Sequence, residues 1–340
     1  MRRPVGAALT GSLLGQALGD ALGFVVEAAP PEVAAEYVES CLLAGKAGGR
    51  SHHAFPFGQY TDDTQLAREL LRSVVAAGGW DPAAFARGVA ALFRDGRAVG
   101  AGPGTRSAAE RLLEGVSWRD AGRPTPYAGN GSAMRAAPLG ILFRHDAARM
   151  VRAAREQSLV THRDPRCAAG AIAVAGAAAL ASSVERIRPG EFLGQLAAWA
   201  VEDDPSVADA IRGITPWLDL TPAEAARRLH HAGLDPRYAD RWSGVSAFVT
   251  PSVVWSLYAF LRSPDDYWTT ICTAIGVGGD TDTMAAMAGA ISGARGGAGV
   301  LPQPLLTALN DRGAWTADDL ARLARESARI VTRPADASPS

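Results

Sequence analysis

The amino-acid sequence predicts an all-α fold, a compact orthogonal bundle of many helices. Apolar residues recur at intervals of three and four through most of the chain, which is the spacing of one helix face. Asp or Thr followed by Pro opens several of these segments, as expected of helix starts, and no series of alternating strands is present. Because no low-complexity linker divides the 340 residues, we expect one domain over residues 1–331 and a disordered polar tail over residues 332–340.

The first predicted helix lies in the N-terminal segment and carries a stripe of glycine. Its glycines fall four residues apart: Gly11, Gly15, Gly19 and Gly23. A second stripe with the same spacing lies near the other end of the chain: Ala285, Gly289, Gly293 and Gly297. Glycine lowers helix propensity, so such a stripe indicates a backbone packed very close, and we expect these two helices to contact each other. A general Ala/Gly bias of composition is the alternative explanation.

The remaining helices are predicted from the same apolar spacing. Their segments begin at Asp62, Asp81, Arg106, Asp146, Asp164, Gly190, Asp204, Thr221, Thr250 and Thr316. Loops are expected at residues 44–60, 96–106, 122–133 and 233–247, which are rich in Gly, Pro and polar residues.

Composition and charge exclude several classes of protein. The chain has 34 Lys+Arg against 35 Asp+Glu and a net charge of −1, so nothing indicates a nucleic-acid partner. Its three cysteines have no paired spacing, which fits a reducing compartment and excludes a CxxC zinc site. Arg2-Arg3 and the apolar residues after them resemble a signal peptide, but Gln16 and Asp20 interrupt the run. We therefore expect a cytoplasmic protein with no membrane segment.

The segment Asp280-Thr281-Asp282-Thr283 crowds two carboxylates and two hydroxyls at the start of a small-residue helix. One acid at such a position would complement the helix dipole and cap free N–H groups. Two acids with interleaved threonines, introduced by Gly278-Gly279, are denser in oxygen than capping requires. Hard cations such as Mg²⁺ bind oxygen donors of this kind.

A second acidic cluster, Thr61-Asp62-Asp63-Thr64, precedes a helix much earlier in the chain. Adjacent carboxylates repel each other unless a cation or a basic partner lies between them. Capping by Thr61 or Asp62 is the alternative explanation. If the two helices are neighbours, side chains of both clusters can face each other around two metal ions, with water completing each shell. These side chains are Thr61, Asp62, Asp63, Asp280, Asp282 and Thr283.

Three other stretches contain candidate functional residues. The segment 129–132, GNGS, can expose successive backbone N–H groups before a helix, which suits phosphate binding, although Asn-Gly is also common in plain turns. His162, at a loop-to-helix junction, can be a general acid or base, a ligand contact or a structural residue. Glu27 is either a solvated loop residue or a catalytic or gating carboxylate. The pairs His52-His53 and His230-His231 are expected on the surface.

These motifs together resemble the ADP-ribosylglycohydrolase family, which includes dinitrogenase-reductase-activating glycohydrolases and ADP-ribosyl-acceptor hydrolases. The matching motifs occur in the order GDALGFVVE, YTDDTQLA, GNGSAMR, SLVTH and GGDTDTMAAMAGAISGA, between residues 6 and about 298. The combination of TDDT with GGDTDT is the most specific part. The resemblance implies a compact all-α fold and a binuclear Mg²⁺ (or Mn²⁺) site.

The resemblance also implies roles for individual residues. Its metal ligands correspond to Thr61, Asp62, Asp63, Asp280, Asp282 and Thr283. Glu27 falls where the family has its functional loop glutamate, and Glu27, Asp62 and Asp63 are the catalytic candidates. The substrate-binding candidates are Gly100, Gly102, Tyr127, Asn130, Gly131, Ser132, Met134 and His162. Because Ala128 stands where some relatives have an aromatic residue, adenine stacking is expected from Tyr127 or another side chain.

The implied activity is hydrolysis of the bond between C1″ of the distal ribose of ADP-ribose and an acceptor side chain, with two Mg²⁺ or Mn²⁺ ions as cofactors. The expected partner is an ADP-ribosylated protein or an ADP-ribose-containing small molecule, and we expect a monomer. The alternatives are a hydrolase of free ADP-ribose derivatives and a non-catalytic ADP-ribose-binding relative. The motifs look closer to the arginine-linked branch than to the serine-linked one. In the serine-linked branch GNG is more often followed by glycine, whereas this chain has Ser132 there.

Overall fold

A computed structural model describes residues 3–52, 54–229 and 242–332. Its α-helices are α1 (Val5–Gly23), α2 (Pro31–Tyr37), α3 (Asp62–Ala77), α4 (Pro82–Arg94), α5 (Pro103–Leu113), α6 (Trp118–Ala121), α7 (Ala137–Leu142), α8 (Ala147–Leu159), α9 (Pro165–Ser183), α10 (Pro189–Ala200), α11 (Pro205–Arg212), α12 (Pro222–Leu229), α13 (Val249–Arg262), α14 (Tyr267–Ile275), α15 (Thr281–Gly296), α16 (Gln303–Leu306) and α17 (Ala317–Thr332). Short 3₁₀ turns lie at Phe24–Val26, Ala47–Gly49, Thr215–Trp217 and Ala298–Val300, and a π-helical turn at Val38–Leu42. In these three ranges β-pairing is limited to isolated bridges, so the predicted all-α class is confirmed.

Two nearly all-buried helices, α1 and α15, form the centre of the fold and pack along each other. A Cβ atom added to Gly11 would lie 2.3 Å from the carbonyl oxygen of Gly293, and one added to Gly289 would lie 2.3 Å from that of Gly15. No side chain fits at such distances. The contact predicted from the two small-residue stripes is therefore present.

A second buried helix, α9, packs against α15 and is surrounded by α7, α8, α10 and α13. By length and composition, Val5–Val26 and Pro165–Ser183 could cross a membrane, and 89% and 83% of their apolar windows are buried inside the fold. Apolar helices at the centre of a helical bundle have this same character.

The structure corrects several boundaries expected from the sequence. The expected loop 96–106 ends early, because α5 begins at Pro103, a residue preferred at the first helical position. Helices α2, α6, α14 and α16 were not predicted; three of them have seven residues or fewer. Helix α17 ends at Thr332, the first residue of the expected tail, and the rest of that tail lies outside the described residues, as do positions 233–241 of the last expected loop.

Candidate active site

The N-termini of α3 and α15 meet at one cavity of about 300 Å³. The Thr283 hydroxyl donates a hydrogen bond of 3.3 Å to Asp63 Oδ2, which joins the two acidic clusters directly. The described residues lining the cavity are Glu27, Asp62, Asp63, Gly100, Ala101, Gly102, Pro103, Gly104, Thr105, Tyr127, Gly129, Asn130, Gly131, Met134, His162, Trp242, Ala247, Asp280, Asp282 and Thr283. The sequence motifs, though distant along the chain, therefore converge on one place.

Helix capping accounts for only part of the acidic clusters. Thr61 is the N-cap of α3, and its hydroxyl accepts from the Asp63 backbone N–H at 3.4 Å. Asp280 occupies the N-cap position of α15, yet its side chain makes no capping hydrogen bond. Asp63 Oδ1 and Asp282 Oδ1 are buried and have no hydrogen-bond partner. Buried carboxylate oxygens without partners are costly, and a divalent cation between them would satisfy them.

Burial perturbs the acidity of these carboxyl groups. Desolvation, and after it the charge of Asp20, raise the pKa of Asp62 to about 8. Desolvation also raises the pKa of Asp63 and of Asp282 well above the ordinary value, again with neighbouring carboxylates adding to the effect. Each acid therefore binds its proton more tightly than usual until a positive charge enters the cavity.

Glu27 belongs to this acidic group and is not a solvated loop residue. Oxygen atoms of Glu27, Asp280 and Asp282 all lie within 4.8 Å of one another. The loop is pinned to the turn before α15, because Ala28 N–H donates to the Gly279 carbonyl at 2.8 Å and Gly279 N–H donates to the Ala29 carbonyl at 2.9 Å. Desolvation and the charge of Asp280 raise the pKa of Glu27 to about 7.

Asp20 positions the first acidic cluster. In the sequence it was noted only because it interrupts an apolar run. It is fully buried on α1, and its carboxylate accepts from the backbone N–H groups of Thr61 and Thr64 at 2.9 and 3.1 Å. It also accepts from the hydroxyls of both threonines, at 3.0 and 2.6 Å. The sequence did contain a sign of this role, because Asp20 is an isolated acid inside an apolar, glycine-striped helix. A buried acid of this kind requires a hydrogen-bonding partner.

A glycine-rich segment covers the first acidic cluster. Gly100 has a φ of +76°, and a Cβ atom there would lie 3.2 Å from Thr61 Cβ. The Asp62 backbone N–H donates to the Val99 carbonyl at 2.7 Å, which holds this segment to α3. Gly102 is the N-cap of α5, so the first N–H groups of that helix lie beside the cavity. Helix N-termini attract anions such as phosphate.

Residues 129–131 of the GNGS segment line the cavity, in a way that differs from the prediction. Asn130 Nδ2 donates to Asp280 Oδ2 at 2.5 Å and to the Ser252 hydroxyl at 3.2 Å, so this amide orients an acid of the second cluster. Helix α7 begins only at Ala137, so the segment is a turn and not a helix N-terminus. Gly131 is essential for space, because a Cβ atom there would lie 2.8 Å from His162 Cε1.

The predicted substrate contact of Ser132 is wrong for its side chain. The hydroxyl donates to the Cys167 carbonyl at 3.1 Å and accepts from the Ser158 hydroxyl at 3.0 Å, in a fully buried position off the cavity wall. Thr61 is likewise absent from the cavity wall; its hydroxyl lies 3.0 Å from both Asp20 Oδ1 and Asp63 Oδ2. The other predicted residues all line the cavity.

His162 is a neutral imidazole whose Nδ1 is hydrogen-bonded within the protein. Arg135, fully buried, donates to the Thr161 hydroxyl at 2.8 Å, and that hydroxyl lies 2.7 Å from His162 Nδ1. The hydroxyl accepts from Arg135 and can donate its own proton to Nδ1, and in that tautomer the ring proton is on Nε2. Burial, with the charges of Arg135 and Arg123, lowers the pKa of His162 to about 3.

The other histidines are not at the cavity wall in the part of the chain that the structure describes. His52 is half-buried and stacks on Phe24, with ring centroids 4.2 Å apart, so its predicted surface position is only partly correct. His53, His230 and His231 lie outside the described residues.

Comparison with known proteins decides the family. The sequence model of the ADP-ribosylglycohydrolase family matches residues 3–336. The chain belongs to the ADP-ribosylglycohydrolase family. It is 31% identical over 327 residues to the ADP-ribosylhydrolase ARH3 of Mus musculus, covering 86% of this chain and 85% of that protein. It is 28% identical over 303 residues to the ADP-ribosylarginine hydrolase Tri1 of Pseudomonas putida, covering 86% and 71%.

A solved structure agrees with this assignment. A chain described as part of an ADP-ribosylglycohydrolase-related protein complex superposes with a TM-score of 0.70 at 26% identity, over 96% of this chain and 99% of that chain. As an ADP-ribosylglycohydrolase, the protein is a glycosyl hydrolase that acts on ADP-ribosylated substrates. The acidic cavity is accordingly its candidate active site.

Proposed function

We propose that this ADP-ribosylglycohydrolase is a metal-dependent enzyme that releases ADP-ribose from modified arginine side chains by cleaving the bond at C1″ of the distal ribose. The observation that carries the proposal is the convergence of two helix N-termini and the Glu27 loop on one cavity, with Asp63 Oδ1 and Asp282 Oδ1 buried and unpartnered. The family is metal-dependent. Cytoplasmic location and a monomeric state, expected from the sequence, belong to the same proposal.

Two Mg²⁺ or Mn²⁺ ions fit the donor set, which consists of carboxylate and hydroxyl oxygen atoms. The residues of the cavity wall that would hold them are Asp62, Asp63, Asp280, Asp282 and Thr283, and the hydroxyl of Thr61 lies 3.0 Å behind, against Asp63 Oδ2. Such ions would supply Lewis-acid chemistry, polarising oxygen atoms of the substrate and lowering the pKa of water. Among the described residues lining the cavity, none is Lys or Arg, so the cavity itself supplies no positive charge to pair with the acids.

The protein's own residues would position the substrate around these acids. The backbone N–H groups near Gly100 and Gly131 and the Nε2 proton of His162 are donors facing the cavity, and they suit the pyrophosphate oxygens of ADP-ribose. A carboxylate among Glu27, Asp62 and Asp63 would accept the proton of the attacking water and stabilise the oxocarbenium-like centre at C1″. Holding water and sugar in line is the main contribution of such a site.

The arginine preference follows from charge. A modified guanidinium is cationic, and the acids at the cavity attract it, whereas a modified serine has no charge to be attracted. Departure of the guanidine also needs a proton, which an acidic wall can deliver. One relative, from Pseudomonas putida, carries the name ADP-ribosylarginine hydrolase, which supports this choice.

The decisive experiment offers the purified protein matched peptides that carry ADP-ribose on arginine or on serine, and follows release by mass spectrometry. We expect faster release from arginine, loss of release with a strong chelator, and recovery with Mg²⁺ or Mn²⁺. The helical circular dichroism should persist in the chelator, because the core is large. Full activity in metal-free protein would refute metal dependence, and faster release from serine would refute the acceptor preference. Turnover of free ADP-ribose derivatives alone would support the first alternative, and binding without turnover the second.

A further inference from the structure

The glycine-rich segment, residues 97–102, lies between α4 and α5 and contributes Gly100, Ala101 and Gly102 to the cavity wall. Residues 97–102 form no helix or strand. Gly100 has a φ of +76°, a conformation that glycine adopts readily but does not favour over its others. A short segment with two glycines therefore keeps one shape only where neighbouring elements bond to it.

Gln65, in the first turn of α3, bonds this segment through both ends of its side-chain amide. The side chain is fully buried. Its Oε1 accepts from Val99 N–H at 3.0 Å, and its Nε2 donates to the Arg97 carbonyl at 2.9 Å. The Val99 carbonyl accepts from Asp62 N–H at 2.7 Å, so both backbone polar groups of Val99 are bonded to α3. The next residue is Gly100, so this anchor fixes where the cavity part of the segment begins.

A buried acid near the other end of the chain fixes the orientation of that amide. Asp311 is fully buried, and its Oδ1 accepts from Gln65 Nε2 at 2.9 Å. The guanidinium of Arg68, also buried, donates to Asp311 Oδ2 at 2.6 Å. A carboxylate paired with a guanidinium can only accept hydrogen bonds, so it requires the amide nitrogen of Gln65 on its side. The amide oxygen is then left for the Val99 N–H, and the two requirements agree.

We propose that Gln65 is a positioning residue that holds residues 97–102 in the shape that binds the pyrophosphate of ADP-ribose, with Asp311 fixing its amide. This inference rests on the proposed function, in which backbone N–H groups near Gly100 meet the pyrophosphate. A segment that is ordered before the ligand arrives does not have to be ordered at the expense of binding. Neither Gln65 nor Asp311 lines the cavity, so an effect of either residue on ligand affinity must pass through the segment.

The test compares Gln65→Met with the wild type, because methionine is about as long as glutamine and carries no amide. Calorimetry with free ADP-ribose in the presence of Mg²⁺ gives Kd, and the arginine-linked peptide gives KM and kcat. Loss of the two bonds to the segment should raise Kd and KM by about 5- to 30-fold. The value of kcat should stay within about three-fold of the wild type, because the acids of the cavity are unchanged.

A second variant and a control separate positioning from stability. Asp311→Asn keeps the shape of the side chain but turns one acceptor into a donor that opposes Gln65 or Arg68, so it should shift Kd in the same direction. It decides the question if Gln65→Met does not fold. Asp203→Asn is the control, since Asp203 pairs with Arg155 at 2.6 Å away from the cavity wall. It should lower the melting temperature and leave Kd unchanged.

Other outcomes overturn the inference. All titrations are made at a temperature at which circular dichroism shows the variants folded, so a wild-type Kd in Gln65→Met would mean that Gln65 serves stability alone. A fall in kcat with Kd unchanged would mean that it acts on the acids and not on the segment. If the wild type cleaves neither peptide, the proposed function fails, while the Kd values for ADP-ribose still test this inference. A wild type that does not bind ADP-ribose would refute both.

Discussion

Asp280 and Asp282, at the start of α15, do not cap that helix with their side chains, so their chemical role can be tested residue by residue. Asp282 Oδ1 has no hydrogen-bond partner, and the acid ahead of it makes no capping bond. We expect Asp282→Asn to lower turnover by about 10²-fold or more, since a displaced cation misorients both sugar and water. Its helix content and melting temperature should stay close to those of the wild type, as followed by circular dichroism.

A matched control for that variant is an acid that does cap a helix. Asp266 accepts from the Thr269 backbone N–H at 3.0 Å and from its hydroxyl at 2.6 Å, at the start of α14. Asp266→Ala should cost stability, on the order of 1 kcal/mol, and leave turnover unchanged. A near wild-type rate for Asp282→Asn would mean that the second cluster has no part in turnover.

Glu27 allows a second prediction at this scale. Glu27→Gln removes a negative charge within 4.8 Å of Asp280 and Asp282 while preserving the shape of the loop. We expect turnover to fall on whichever acceptor is cleaved, measured as initial rates under saturating substrate. Glu32→Gln, an exposed acid in the first turn of α2, is the control. Equal rates for Glu27→Gln and the wild type would contradict a role for the loop carboxylate.

The acids of the two clusters could be identified from the sequence more readily than the residues that position the site. Thr61-Asp62-Asp63 and Asp280-Asp282 were visible because several oxygen donors are crowded within a few positions. Asp20 and Arg135 are single polar residues in apolar helices or turns, and the side chains that they bind, Thr61 and Gln157, are 41 and 22 residues away. Ser132 was misassigned for the same reason, because a motif does not say which way a side chain points.

At the scale of elements, the contact between α1 and α15 sets the geometry of the site. Gly15→Leu and Gly289→Leu should destabilise strongly, because each side chain would have to enter a space where a backbone oxygen lies within 2.5 Å of the new Cβ. Gly194→Leu on α10 is the control, since a Cβ there meets nothing within 4 Å. Thermal melting decides the question. Equal shifts for Gly15→Leu and Gly194→Leu would mean that the stripe is not a packing constraint.

The elements that the sequence predicted share a clear physical pattern. Long helices with one apolar face, such as α3 and α8, were found from spacing alone. Helix α14 was not, because its residues, YWTTICTAI, include several β-branched and aromatic types that favour strands in isolation. Its conformation depends on the Asp266 cap and on burial against α13 and α15. The early start of α5 depended on one proline whose role is equally common in loops.

At the scale of the whole molecule, the stability of the fold depends on the protons or cations that the acids of the cavity hold. Burial raises the pKa of Glu27 to about 7 and of Asp62 to about 8, above their ordinary values. Between the ordinary pKa values of these two acids and the raised ones, the folded metal-free protein holds protons that the unfolded chain has released. Its stability therefore falls as pH rises across that range. His162, with its pKa lowered to about 3, acts in the opposite direction only below its ordinary value of 6.5.

We therefore expect the melting temperature of chelator-treated protein to fall between about pH 6.5 and pH 8.5. Mg²⁺ should raise it more at the higher pH, because cation binding replaces the protons. Differential scanning fluorimetry at both pH values, with and without Mg²⁺, measures this, and Asp62→Asn should reduce the dependence on pH. A melting temperature that rises with pH in the chelator would contradict the expected sign.

The pairing of α1 with α15 also bears on how the protein is made. The Thr281 hydroxyl donates to the Gly23 carbonyl at 2.8 Å across 258 residues of sequence, and Tyr267 donates to the Gly15 carbonyl at 2.7 Å across 252. On the ribosome, α1 emerges long before α15, so the two helices pair only after the residues between them have been translated. The acids of α3 meet those of α15 only then. A chain that ends before α15 thus has the acids of α3 but lacks those of α15. The candidate site can form only after α15 has been translated.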